Sequence, residues 1–149
     1  MDLAAGACAA HLGRRRVLVV DDDVAMLQLI ARVLRGACWH VEAVSCPRAA
    51  ARLLERGGAA FDVLLTDVMM PELDGPGLAA HAVRCRPGIE VFFVSGFVAA
   101  PQGRDLPPGA RVLAKPFSVR ALRDLLGPGA VRPGAGPGAQ VPPRPGILA

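Results

Sequence analysis

Five short apolar runs punctuate the chain: Val17–Val20, Val41–Val44, Val63–Thr66, Val91–Val94 and Val112–Ala114. Val, Leu and Phe dominate most of them without polar alternation, the pattern of strands covered on both faces. Between the first two, Met26, Leu27, Ile30, Val33 and Leu34 recur at helical spacing opposite Gln28, Arg32 and Arg35, which predicts an amphipathic helix over Val24–Arg35. Pro47 opens a second helix that stops at Gly57-Gly58, with proline and glycine at the ends that suit them. Gly75–Cys85 and Val119–Leu126 supply two more, the last with Ser118 as its predicted N-cap. Between the fourth and fifth strands, Pro101, Gly103, Pro107 and Pro108 break up Val98–Gly109 and leave room for a single turn at most. The predicted order is β-α-β-α-β-α-β-(short)-β-α. Right-handed crossovers then place helices on both faces of a parallel sheet, an α/β doubly wound fold.

The 149 residues, 52% apolar and 20% charged, fit one packed domain. A chain of this size buries roughly 68% of its unfolded surface on folding. Gly127–Ala149 holds six Gly and six Pro in 23 residues and reads as a disordered tail. Residues 1–15 read as a flexible extension, which leaves a folded core over 16–126. No apolar run approaches the ~20 residues of a membrane helix. The stretch Leu3–Leu12 is followed, not preceded, by basic residues and is interrupted by Gly6, unlike a signal peptide. Cys8, Cys38, Cys46 and Cys85 show no metal-like spacing, so a reduced, cytoplasmic protein is expected.

Charge narrows the partners. The net charge is +4 and the only basic cluster is Arg14-Arg15-Arg16, which reads as a solvated approach to the first strand, not a nucleic-acid face. Neither nucleic acid nor membrane is expected as a partner. All basic residues but Lys115 are Arg. A position that alone keeps Lys suits a compact, point-like charge.

The candidate chemistry lies at the strand ends. Asp21-Asp22-Asp23 follow the first strand, Asp67 the third, Ser95 the fourth and Lys115 the fifth. Carboxyl ends of parallel strands form the rim where doubly wound sheets bind ligands. Clustered carboxylates either share a proton or hold a cation. An oxygen-rich site without His or Cys suits Mg²⁺, and the sulfurs of Met69 and Met70 do not. Lys115 and Ser95 would meet phosphoryl oxygens, and an Asp carboxylate would serve as nucleophile, a coherent phosphoryl-transfer set.

Val17-Leu-Val-Val-Asp-Asp-Asp23, Leu64-Leu-Thr-Asp-Val-Met-Met-Pro-Glu-Leu-Asp-Gly75, Val91-Phe-Phe-Val-Ser-Gly96 and Lys115-Pro-Phe117 resemble the receiver domain of two-component response regulators. The resemblance covers about residues 16–126 and implies a flavodoxin-like (βα)5 sheet of order 2-1-3-4-5, here with a degenerate fourth helix. It implies phosphorylation of Asp67 and Mg²⁺ at Asp21, Asp22 and Asp67, joined by the backbone carbonyl of Met69. Asp23 is the looser third acid. Ser95 and Lys115 match the residues that sense the phosphate, and Pro116 matches a proline held after a cis peptide bond.

A phosphorelay protein follows from this resemblance. A histidine kinase or phosphotransfer protein would supply the phosphoryl group, and the output would be phosphorylation-dependent binding to another protein. Such a protein is not an enzyme in the ordinary sense, although it catalyses its own phosphorylation and dephosphorylation. No output module follows residue 126, so a stand-alone receiver is expected, with a receiver of a hybrid histidine kinase as the alternative. Two departures bear on output: Val112 stands where the family often has an aromatic ring, and the fourth helix is eroded.

Two rivals remain. Asp21-x-Asp23-Val24, Ser95 and Lys115-Pro116 also resemble haloacid-dehalogenase-type phosphatases, but only Asp124 is left after the Lys for their further acidic pair. A pseudo-receiver that only binds proteins would keep the fold and drop the chemistry. Among other residues, Trp39 and His40 read as packing and edge positions, Phe92 and Phe93 as core, and Phe97 as a shield at the site mouth.

Overall fold

The computed structural model describes residues 15–57, 60–96, 107 and 109–127. The chain runs β1 (Arg16–Val20), α1 (Val24–Gly36), β2 (His40–Val44), α2 (Pro47–Gly57), β3 (Val63–Asp67), α3 (Gly75–Cys85), β4 (Glu90–Ser95), β5 (Arg111–Ala114) and α4 (Val119–Leu126). All five strands pair in parallel in the order β2-β1-β3-β4-β5. The α/β doubly wound fold and the order 2-1-3-4-5 expected from the sequence are both present. Each strand extends past its apolar run onto polar residues such as Arg16, His40, Asp67 and Arg111. A ladder is made by backbone groups, so pairing continues where hydrophobicity stops.

Successive strand residues face opposite sides and build two cores. Val17, Val19, Leu65 and Phe92 pack with Ile30 and Leu34 of α1 and Leu122 of α4, whereas Leu18, Leu64 and Phe93 pack with Leu54 of α2 and Leu78 of α3. The central strands β1, β3 and β4 are almost wholly buried, but β2 and β5 at the sheet edges are not. Only the central three therefore meet the expectation of strands covered on both faces. Ser118 caps α4 by accepting from the Ala121 N–H at 3.0 Å, as expected from the sequence.

Trp39 carries more than packing. It is 1% exposed, and its indole N–H donates to the Gly127 carbonyl at 2.9 Å. The Arg15 guanidinium lies 4.9 Å from its ring centroid and 3.2 Å from Glu90. Arg16 stands over Phe61, and its backbone N–H donates to Asp62. The Arg15 guanidinium is held by a ring and a carboxylate and the Arg16 side chain lies over a ring, where the sequence predicts a solvated run. Gly127, assigned to the tail, closes α4 with its N–H on the Arg123 carbonyl.

The expectation of four reduced cysteines is corrected at Cys38, which is disulfide-bonded, whereas Cys46 and Cys85 are free. Spacing along the chain cannot report a pairing made by tertiary proximity. The expectations for residues 1–14 and 128–149, for the eroded helix and for Phe97 fall outside the described residues. Among the described residues no helix is long and apolar enough to cross a membrane.

Candidate functional site

Parallel pairing brings the predicted residues to one rim. Asp21 follows β1, Asp67 ends β3, Ser95 ends β4 and Lys115 follows β5. The register sets Val20 beside Thr66, Asp67 beside Val94 and Ser95 beside Ala114. The Lys115 N–H extends this ladder by donating to the Ser95 carbonyl at 2.6 Å. Its side chain then crosses the rim, with Nζ 3.4 Å from Asp21 Oδ2 and 3.7 Å from Asp67 Oδ2. A cis peptide bond joins Lys115 to Pro116, as the resemblance implied. Ser95 is buried one strand away from Asp67.

Asp21, Asp22 and Asp67 each offer a carboxylate oxygen, and these oxygens lie within 4.8 Å of one another. Three like charges this close are unfavourable unless a proton or cation intervenes. Asp21 is 1% exposed. Burial raises its carboxyl pKa, partly countered by the Asp23 N–H and the Lys115 charge, with the neighbouring Asp67 charge pushing it up further. The donors are hard oxygens without imidazole or thiolate, a set that fits Mg²⁺. The Met69 side chain is exposed, whereas Met70 is buried against Leu78 and its neighbours.

Asp23 does not join this cluster among the described residues. Its Oδ1 accepts from the N–H groups of Ala25 at 3.0 Å and Met26 at 3.3 Å, which makes it the N-cap of α1. The reading of Asp23 as a looser third acid of the site is corrected. The first turn of α1 starts one residue later and leaves orphan N–H groups that a short carboxylate satisfies.

Sequence reasoning passed over the residues that seat Asp67. Thr66, wholly buried, donates its hydroxyl to the Asp67 carbonyl at 3.0 Å. Asp74 caps α3 by accepting from the Gly77 N–H at 2.8 Å. Gly75 donates to the Val68 carbonyl at 2.9 Å and lies so close that a Cβ there would stand 2.3 Å from the Asp67 carbonyl oxygen. The available signal was glycine directly after a capping Asp, at a position where a helix ordinarily takes a side chain.

Asp124, the acid a phosphatase reading required, pairs with Arg120 on the exposed face of α4. Val112 is partly buried against the α2–α3 core.

The response regulator receiver domain model matches residues 17–126. The response regulator receiver protein CpdR of Brucella abortus is 36% identical over 110 residues, covering 72% of this chain and 90% of that protein. The sensor kinase CckA of the same organism is 34% identical over 112 residues, covering 74% of this chain but only 12% of that protein. Among solved structures, the receiver domain of the sensor histidine kinase PA1611 from Pseudomonas aeruginosa superposes with a TM-score of 0.63 at 25% identity. The match covers 77% of this chain and 95% of that one, which has a magnesium ion coordinated in its active-site cleft. The rim, the fold and these relatives agree: the chain belongs to the response regulator receiver domain family of two-component signalling.

Proposed function

We propose that Asp67 is the phosphoacceptor of a phosphorelay. The observation that carries this reading is Lys115 Nζ set 3.7 Å from Asp67 and 3.4 Å from Asp21, beside the three-carboxylate cluster. The donor is a histidine kinase or phosphotransfer protein. An Asp67 oxygen attacks phosphorus, the bond from phosphorus to the donor imidazole breaks, and the imidazole nitrogen keeps the electron pair and takes a proton. Lys115 holds a phosphoryl oxygen through its ammonium, and the Ser95 hydroxyl donates to another. The Thr66 hydroxyl bonds the Asp67 carbonyl and Gly75 packs against it, which holds the backbone that carries the nucleophile.

Asp21, Asp22 and Asp67, with the Met69 carbonyl, would hold Mg²⁺, which when bound offsets negative charge on phosphoryl and carboxylate oxygens. In dephosphorylation water attacks phosphorus, the bond from phosphorus to the Asp67 oxygen breaks, and Asp67 leaves as the carboxylate with the electron pair. Inorganic phosphate departs after water gives up a proton to solvent. The phosphorylated rim then changes affinity for a protein partner.

The test is labelling with a small acyl-phosphate donor in Mg²⁺, followed by location of the modified residue. Asp67→Asn keeps the shape and removes the nucleophile, so labelling should vanish. Undiminished labelling of that variant overturns the assignment, and a parent chain that takes no label favours a pseudo-receiver.

A further inference from the structure

We propose that Asp23 is a positioning residue for the acidic site. Its carboxylate fixes the first turn of α1, so that its own backbone N–H is aimed at Asp21. This rests on the reading of Asp21, Asp22 and Asp67 as the cation site.

The two oxygens of Asp21 are held by different donors. Oδ2 lies 3.4 Å from Lys115, and Oδ1 accepts from the Asp23 N–H at 2.9 Å. Asp21 is 1% exposed, so no bulk water replaces a partner that moves, and its orientation depends on those two donors. The Asp23 N–H in turn points where the backbone at φ −80°, ψ 105° directs it. That conformation is secured from the far side. Asp23 Oδ1 bonds the N–H groups of Ala25 and Met26, and the Asp23 carbonyl accepts from Leu27 at 2.9 Å. No other acid lies in the first turn of α1, so the cap rests on this one side chain.

Asp23 therefore acts by shape and hydrogen bonding, its charge facing the positive end of the helix. Two explanations of a third acid now separate cleanly. If the cap matters, side chains that accept from N2 and N3 will replace Asp23. If charge matters, a carboxylate on a longer stem will. Asp23→Asn and Asp23→Ser keep an acceptor and lose the charge; Asp23→Glu keeps the charge and caps poorly; Asp23→Ala loses both.

Mg²⁺ affinity of the full chain, measured by calorimetry, should stay within twofold of the parent for Asn and Ser. It should fall about fivefold for Glu and Ala, the equivalent of one lost cap. Amide exchange at residue 23 should quicken in the same two variants, and circular dichroism checks that all four fold. Ranking by charge, with Glu at the parent value and Asn and Ser weakened, overturns the proposal. So do four unchanged variants.

The site reading is tested apart by Asp22→Ala. Parental Mg²⁺ affinity in that variant sinks the cation site and leaves the exchange result to decide the positioning. Parental exchange at residue 23 in Asp23→Ala sinks the positioning and leaves the cation site standing.

Discussion

Gly75→Ala tests how tightly the acceptor strand is seated against α3. The added Cβ would stand 2.3 Å from the Asp67 carbonyl oxygen, 2.9 Å from Val68 Cα and 3.1 Å from the Asp67 carbonyl carbon. All three neighbours are backbone atoms of the β3 end, held by ladder pairing to β4 and by the Gly75 N–H on the Val68 carbonyl. No side chain can swing aside to relieve the clash, so the helix start or the strand end has to shift. Overpacking typically costs about 1–3 kcal/mol, and a contact with rigid backbone belongs at the upper end. The better helix propensity of Ala returns at most about 1 kcal/mol. The net loss is about 2 kcal/mol, or roughly 8 °C in melting temperature for a domain of this size.

Urea denaturation followed by circular dichroism measures the loss. Acyl-phosphate labelling reads the displacement of Asp67 as a slower rate. Gly77→Ala is the control: its Cβ would meet only side-chain atoms, Leu73 Cδ1 at 3.0 Å and Asp74 Oδ1 at 3.1 Å. Asp74 Oδ1 also accepts from the Gly77 N–H at 2.8 Å, so the cap has to adjust by a few tenths of an ångström, and Gly77→Ala should lose less than Gly75→Ala because no backbone atom blocks its Cβ. Equal stability of Gly75→Ala and the parent would refute the seating argument.

Asp21→Asn should abolish a pH dependence. Burial raises the folded-state pKa of Asp21 above its ordinary value of 3.8, so the folded chain binds this proton more tightly than the unfolded chain does. In Mg²⁺-free buffer its contribution to stability therefore declines as pH rises from about 3.8 through the folded value. The variant should gain on the parent between acid and neutral urea midpoints, and parallel curves would contradict this. Trp39→Phe removes the indole bond to Gly127 and weakens the Arg15 stack, for a loss of about 1–2 kcal/mol by circular dichroism. An unchanged midpoint would show that this bond adds nothing.

Local patterns carried much of the architecture and the cast of the site. Helix boundaries at Pro47, Gly75, Cys85 and Leu126 were legible because capping and periodicity act within one or two turns. Strand alternation and crossover handedness then placed Asp21, Asp67, Ser95 and Lys115 on one rim, before any distance was known. The capping role of Asp23 was not legible. Three adjacent carboxylates look alike in a sequence, and only the start of α1 turns the third toward helix N–H groups while the first is buried beside Lys115.

Gly75 beside the Asp67 carbonyl, and Trp39 bonded to Gly127 across 88 residues, are likewise products of packing. Hydrophobic patterning assigns a residue to a core, but it does not name the atom that residue meets. That choice depends on the separations and angles between elements. Those are set by side-chain packing summed over the whole domain, which no local window contains.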